Sequence, residues 1–147
     1  KDVINLEIKA LQNLKKNTYE IYMGIGLPNQ LRTKIYKLYK KKNVRFKTFI
    51  HKECFKSKNS KIGEGSIIFP NVTIGNNVEI GKNCVVYSNS VIEHDTKISD
   101  HCYISPSVTI CGSVKIGRET FIGAKSCLVD NTVVKKKSII KALSLVK

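Results

Sequence analysis

The residues of this sequence whose types and spacing best suit chemistry are three consecutive polar side chains, Glu93, His94 and Asp95. A histidine can accept a proton near neutral pH, and either neighbouring carboxylate can hold its ring in the required tautomer. Gly112 lies at position 94+18. If the two stack, the glycine leaves a notch beside the ring and exposes a backbone N–H. A base that faces such a notch suits acyl transfer, because one group accepts the proton and the other stabilises the oxyanion.

Other interpretations of the histidines stay open at this point. Taken alone, His94 can be an ordinary solvated side chain of the surface. A zinc site would need several converging ligands, and the two further histidines are His51 and His101. Only His94 lies in a catalytic-looking position, so we expect no metal.

The element that must position these side chains is a repeat that runs over residues 62–146. Every sixth residue is aliphatic, and the residue four positions after each of these anchors is usually small. The anchors are Ile62, Ile68, Ile74, Ile80, Val86, Ile92, Ile98, Ile104, Ile110, Ile116, Ile122, Leu128, Val134, Ile140 and Val146. A period of six is typical of a hexapeptide β-helix, in which three hexads close one coil and residues 18 apart stack at about 4.8 Å.

Two further features of the repeat bear on the shape of its surface. Glycine often follows an anchor, as at Gly63 and Gly75, and we expect it to relax the backbone at the corner. Pro106, Ala124 and Ala142 are small residues spaced by 18. They indicate a shallow groove for an extended ligand such as pantetheine, although they can equally be ordinary small surface residues.

The N-terminal part of the chain reads differently. Apolar stretches at 19–24 and 44–50 flank a helical pattern that contains Leu31, Ile35 and Leu38. A strand, a helix and a strand within about 30 residues form a βαβ unit. We therefore predict a partial α/β, Rossmann-like subdomain at 1–50, a linker at 51–61 and the β-helix at 62–147.

Composition limits the partners and the compartment. The net charge of +15 is compatible with anionic ligands or with a composition rich in Lys, Ile and Asn. No nucleic-acid module, signal peptide or long apolar span is visible, so we expect a cytoplasmic protein that binds neither nucleic acid nor membrane. The five cysteines form no CxxC pair, and Cys84 and Cys102 lie 18 apart in small core positions. We expect all five to be reduced.

The sequence resembles a known family, the bacterial sugar acetyltransferases of the sialic-acid O-acetyltransferase and UDP-4-amino-sugar N-acetyltransferase type. The resemblance is most specific at 90–117. The matching segments are SVIEHD at 90–95, DHCYISP at 100–106 and CGSVKIG at 111–117, with weaker matches at 24–26, 32–36 and 50–51.

The resemblance implies a left-handed β-helix, a homotrimer and acetyl-CoA as cosubstrate, with a nucleotide sugar bound through the subdomain at 1–50. It makes His94 the general base and Asp95 its orienting acid. It places Gly112, Ala124 and Ala142 along the acetyl-CoA site. Tyr103 stands where family members usually carry a second histidine that contacts the thioester end of acetyl-CoA.

The resulting hypothesis is an acetyl-CoA-dependent acetyltransferase that acts on a bacterial sugar by direct attack. The first candidate acceptor is the amine of a UDP-linked 4-amino-sugar, and the alternative is a hydroxyl of sialic acid. An alternative hypothesis is that the chain is a non-catalytic trimeric β-helix scaffold. The departure from the hexapeptide pattern at Glu93, His94 and Asp95 argues against this alternative.

Overall fold

The computed structural model of the protein describes residues 21–24 and 29–147. Helix α1 spans Asn29–Lys40, and a series of two-residue strands follows it. The strands are β1 Phe49–Ile50, β2 Phe55–Lys56, β3 Lys61–Ile62, β4 Ile67–Ile68, β5 Thr73–Ile74, β6 Glu79–Ile80, β7 Val85–Val86, β8 Val91–Ile92, β9 Lys97–Ile98, β10 Tyr103–Ile104, β11 Thr109–Ile110, β12 Lys115–Ile116, β13 Phe121–Ile122, β14 Cys127–Leu128, β15 Val133–Val134, β16 Ile139–Ile140 and β17 Leu145–Val146.

Every third strand belongs to the same parallel sheet. The first sheet runs from β1 to β16, the second from β2 to β17 and the third from β3 to β15. Ile68 pairs with Val86 and Ile92 with Ile110, so each strand is in register with the equivalent strand of the next coil. The chain is therefore a three-sided parallel solenoid, consistent with the predicted left-handed β-helix.

The interior of the solenoid consists of the anchors and the small residues. Ile68, Ile92 and Ile110 are fully buried. Polar small residues are tolerated inside because they bond to the next coil. The Ser66 hydroxyl donates to the Gly81 carbonyl at 2.9 Å and accepts from the Cys84 N–H at 3.0 Å. A buried hydroxyl with both partners costs little.

The cysteines fit this interior. Cys84 and Cys102 are buried, and all five cysteines are free, as predicted. Burial raises the pKa of the Cys84 thiol well above its usual range. We conclude that this pair acts as packing in the core.

At the corners, the glycines that follow the anchors do not have the role that the sequence predicted. The left-handed backbone conformation falls on the third residue after each anchor, as at Asn77 (φ 56°) and Asp95 (φ 59°), and Asn and Asp tolerate it well. Among the described glycines, only Gly65 has a positive φ. A Cβ at Gly63 would lie 2.6 Å from the carbonyl carbon of Gly81. The glycines after the anchors therefore make room for the next coil, and the prediction that they relax the backbone was wrong.

The predicted linker at 51–61 was also wrong, because these residues already belong to the solenoid. Phe49 and Ile50 pair with Ile67 and Ile68, so the first coil begins at β1, two strands before the strand that contains Ile62. Lys56 occupies an anchor position, which interrupts the aliphatic repeat in the sequence. Its ammonium group donates to the Ser57 carbonyl at 3.0 Å instead of entering the core.

The described residues do not show the Rossmann-like α/β subdomain that the sequence predicted at 1–50. Helix α1 forms where the helical pattern predicted it, and the flanking strands reduce to one parallel bridge between Ile21 and Phe46. Residues 1–20 and 25–28 lie outside the described residues, and so does much of the predicted α/β subdomain at 1–50. In the part of the chain that the structure describes, no helix is long and apolar enough to cross a membrane.

One buried arginine joins α1 to the solenoid. The Arg32 guanidinium donates to the carbonyls of Met23 at 2.6 Å and Gly65 at 2.8 Å. Burial lowers its pKa to about 10, so the group stays charged at neutral pH. Tyr36 of α1 packs on the His101 ring at 5.3 Å. Helix α1 therefore covers the corner that joins the third sheet to the first.

Candidate functional site

The three corners of the solenoid separate the predicted site residues. The second corner, which joins the second sheet to the third, consists of residues 57–60, 75–78, 93–96, 111–114 and 129–132. It carries Glu93, His94, Asp95 and Gly112. The first corner, which joins the first sheet to the second, includes residues 123–126 and 141–144 and carries Ala124 and Ala142.

The His94 ring is held by its neighbour in sequence. His94 Nδ1 lies 2.9 Å from Asp95 Oδ2, and 59% of the His94 side chain is exposed. In the neutral ring Nδ1–H donates to this carboxylate, which leaves the lone pair on Nε2. The hydrogen bond to Asp95 raises the pKa of His94 above its ordinary value. This is the arrangement of an oriented base.

A second polar side chain holds Asp95. The Asn77 side-chain amide donates to Asp95 Oδ1 at 3.2 Å. The bonds from His94 and Asn77 lower the pKa of Asp95, so it is a carboxylate at neutral pH. Asn77 was not among the predicted site residues, although it stands one coil before Asp95 and the coil spacing identifies it.

Glu93 plays a lesser part in the geometry. Its side chain is exposed, and within the described residues no hydrogen bond from it to His94 is found. Its negative charge is one of the smaller contributions that raise the pKa of His94. Asp95, rather than Glu93, therefore orients the ring.

Gly112 forms the predicted notch. A Cβ built on Gly112 would lie 2.7 Å from His94 Cε1 and 2.8 Å from His94 Nε2. The imidazole therefore occupies the space that any other side chain at position 112 would need. The free Nε2 faces the backbone of the next coil across this notch.

The Gly112 amide is not open to the notch, contrary to the expectation from the sequence. Its N–H donates to Asp130 Oδ1 at 2.9 Å. Asp130 stands one coil after Gly112, so the column of stacked residues extends beyond the predicted pair of His94 and Gly112. The second corner thus carries a carboxylate where we expected an unoccupied donor.

The structure does not bring the other proposed cofactor residues to His94. Ala124 and Ala142 lie on the first corner, and Tyr103 belongs to strand β10 of the first sheet. The Tyr103 ring is buried and packs against Tyr87 at 5.2 Å and Phe121 at 5.4 Å. Burial raises the pKa of its hydroxyl.

The remaining histidines have local roles. His101 is buried on the third corner, where its Nδ1 accepts from the Asn83 side-chain amide at 2.9 Å. Burial lowers its pKa, which keeps the ring neutral. His51 Nδ1 lies 3.8 Å from Glu53 Oε2 on the first corner. Among the described residues, no group of three or more His, Cys, Asp or Glu side chains is arranged to hold a metal ion.

A groove of about 520 Å³ lies away from His94, on the third sheet and the third corner. Its lining contains two cationic and two anionic side chains, so their formal charges cancel. These residues are Glu79, Gly81, Lys97, Ile98, Ser99, Asp100 and Arg118. Since the oriented base is on another corner, we take the notch rather than this groove as the candidate site.

Comparison with protein-family models identifies the repeat. The family described as bacterial transferase hexapeptide (six repeats) matches residues 59–94 and 95–130. No curated protein sequence gives a significant match to the chain.

Solved structures share the fold. The acetyltransferase domain of PglB from Neisseria gonorrhoeae, in complex with acetyl coenzyme A, superposes with a TM-score of 0.89 at 22% identity, over 95% of this chain and 67% of that one. A histidine mutant of perosamine N-acetyltransferase from Caulobacter crescentus, with CoA and GDP-perosamine, gives 0.83 and 22% over 95% of this chain. WeeI from Acinetobacter baumannii gives 0.75 and 18%, over 95% of this chain and 73% of that one.

This chain spans 64% of the length of the perosamine N-acetyltransferase structure. At these identities the likeness establishes the common fold.

The notch at Gly112 leads to a prediction that separates function from stability. Gly112→Ala should displace the exposed His94 ring, which can rotate away, so the melting temperature should change little. Gly63→Ala is the matched control, because its Cβ would meet the backbone of Gly81 at 2.6 Å, which cannot yield. The measurement is the melting temperature of both variants, together with the reactivity of His94 toward diethyl pyrocarbonate.

We expect altered His94 reactivity in Gly112→Ala and lost stability in Gly63→Ala. Equal loss of stability in the two variants would show that Gly112 is present for packing alone.

Proposed function

We propose that this chain, whose repeat region matches the bacterial hexapeptide transferase family, transfers an acetyl group from acetyl-CoA to a nucleotide-linked sugar. The observation that carries the proposal is the oriented His94, whose Nε2 faces the notch at Gly112. Structures with the same fold contain CoA or acetyl coenzyme A, which supports acetyl-CoA as the donor.

The proposed reaction is a direct attack. His94 Nε2 takes a proton from the acceptor while the acceptor adds to the thioester carbonyl carbon. The tetrahedral intermediate collapses with cleavage of the C–S bond, and the CoA sulfur leaves with the proton that His94 took. Asp95 stabilises the imidazolium that forms between the two steps. The Gly112 N–H supports the oxyanion once it is released from Asp130.

The charges around the base favour an amine over a hydroxyl as the acceptor. Asp95, Glu93 and Asp130 all raise the pKa of His94 through their negative charge. The same field attracts an ammonium group, although the chain as a whole carries a net charge of +15. We therefore place the amine of a UDP-linked 4-amino-sugar first and the hydroxyl of sialic acid second. A perosamine N-acetyltransferase of the same fold binds a GDP-linked sugar, which supports a nucleotide-linked acceptor.

Assembly as a homotrimer completes the proposed site. Ala124 and Ala142 lie on a different corner from His94, so a neighbouring copy would bring them to a ligand at His94. The second sheet, which connects these two corners, has an uncharged outer face. Its outward residues are Phe55, Thr73, Val91, Thr109, Cys127 and Leu145. Packing of this face around a threefold axis would bring the first corner of one copy to the second corner of the next.

The mechanism predicts how activity depends on pH. Only neutral His94 accepts a proton, so kcat/KM should fall as the pH is lowered through its pKa, which Asp95 holds above the ordinary value. In Asp95→Asn that pKa drops, so the acid limb should move to lower pH and the plateau should decrease. His94→Ala should lower kcat by about 10²–10⁴-fold. The measurement is the pH–rate profile of acetyl transfer.

His51→Ala is the control, since His51 also lies beside a carboxylate but on the first corner. An acid limb that stays in place in Asp95→Asn, or normal turnover in His94→Ala, would place the base elsewhere.

The proposed trimer sets the mass of the particle in solution, and a substitution on the second sheet should reduce that mass. Sedimentation at micromolar concentration should give about three times the chain mass of 16.5 kDa. Thr109→Arg should shift the particle toward the monomer, because it places a charge on the second sheet. Lys115→Glu, on the third sheet, should leave the trimer intact. A monomeric wild type would remove the proposed contribution of Ala124 and Ala142.

A further inference from the structure

One carboxylate at the second corner, that of Asp130, transfers no proton in the proposed mechanism. Asp130 Oδ1 accepts the Gly112 N–H at 2.9 Å. A Cβ built on Gly112 would lie 3.2 Å from this oxygen and 2.8 Å from His94 Nε2. The carboxylate oxygen and the free ring nitrogen therefore border the same small space. Asp130 occupies the place where an acyl oxygen would have to lie in order to accept from Gly112.

The same contact occurs once more in the described part of the chain, where it has no catalytic neighbour. Asp100 Oδ1 accepts the Lys82 N–H at 2.7 Å on the third corner. Both aspartates stand at the second position after an anchor, and each bonds to the stacked amide of the preceding coil. Asp100 thus shows what this bond does as a purely structural device. The position of Asp130 beside His94 is what distinguishes it.

The hydrogen bond from the Gly112 amide to Asp130 is strong because its acceptor is charged. A hydrogen bond to a charged group is stronger than one to a neutral carbonyl. A thioester carbonyl therefore competes poorly for the Gly112 amide while the Asp130 carboxylate holds it. Asp130 is exposed, so its side chain can turn into solvent without disturbing the core.

We propose that Asp130 is a latch on the Gly112 amide, closed in the free protein and displaced when the carbonyl of acetyl-CoA enters the notch. This inference rests on the proposed function, because it assumes that the thioester binds beside His94. Asp130 is a positioning residue that acts through Gly112. The latch makes the oxyanion donor available only when the acyl group has arrived.

The latch predicts a difference between two ligands that differ only in the acetyl group. Free CoA has no carbonyl at the sulfur, so its affinity should not depend on Asp130. Acetyl-CoA must displace the carboxylate, so Asp130→Ala should bind it roughly threefold to tenfold more tightly, as expected when a competing hydrogen bond is removed. The measurement is isothermal titration calorimetry of both ligands with the full chain.

Two control variants make the experiment decisive. Asp100→Ala removes the same kind of hydrogen bond at the third corner. We expect it to lower the melting temperature about as much as Asp130→Ala does, and to leave the ratio of the affinities for acetyl-CoA and CoA unchanged. Asp130→Asn keeps an oxygen that can accept from Gly112 but removes the charge, so its ratio should lie between wild type and Asp130→Ala. It also tests the latch if the alanine variant does not fold.

Each other outcome has a defined meaning. An unchanged ratio in Asp130→Ala and Asp130→Asn would overturn the latch while wild-type binding of acetyl-CoA upholds the donor assignment. Weaker binding of acetyl-CoA in both variants would show that Asp130 supports the notch rather than closing it. Failure of the wild type to bind either CoA or acetyl-CoA would overturn the proposed function, and the latch with it.

Discussion

The structure depends on one constraint, which is that equivalent residues of successive coils stack directly on each other without insertion. The register from Ile50 to Val146 fixes the neighbours of every side chain. It places an aliphatic residue on an aliphatic residue in the core and makes glycine necessary where two coils touch at Gly63. The candidate site follows from the same rule, because Asn77 meets Asp95, His94 meets Gly112, and Gly112 meets Asp130.

Because the coils stack in this register, the sheets and corners of the solenoid differ in the character of their surfaces. The third corner is covered by α1, which Arg32 attaches through backbone carbonyls. The outer face of the third sheet is charged, with Lys97 beside Glu79 at 3.4 Å. The second sheet is uncharged on its outer face, and its far edge carries the base. The proposed chemistry therefore lies on the second corner, where the side chains of His94 and Asp95 are exposed.

The sequence predicted those features that depend on spacing alone. The anchors from Ile62 onward and the stacking of His94 on Gly112 follow from a period of six. The first coil was missed because Lys56 places a charge at an anchor position. The contact from Asp130 to Gly112 was missed because spacing gives the neighbour but not the direction in which an exposed carboxylate turns. The spacing of 18 gives Phe121 as the neighbour of Tyr103 but does not give the contact with Tyr87 that completes its burial.

If acyl transfer takes place at the second corner, a crystal structure of the chain with acetyl-CoA should show the ligand there. We expect the thioester carbon beside His94 Nε2, with its carbonyl oxygen at the Gly112 amide and the pantetheine arm between two copies of the chain. Electron density for the ligand in the groove lined by Glu79, Lys97 and Arg118, with the notch at Gly112 still closed by Asp130, would contradict it.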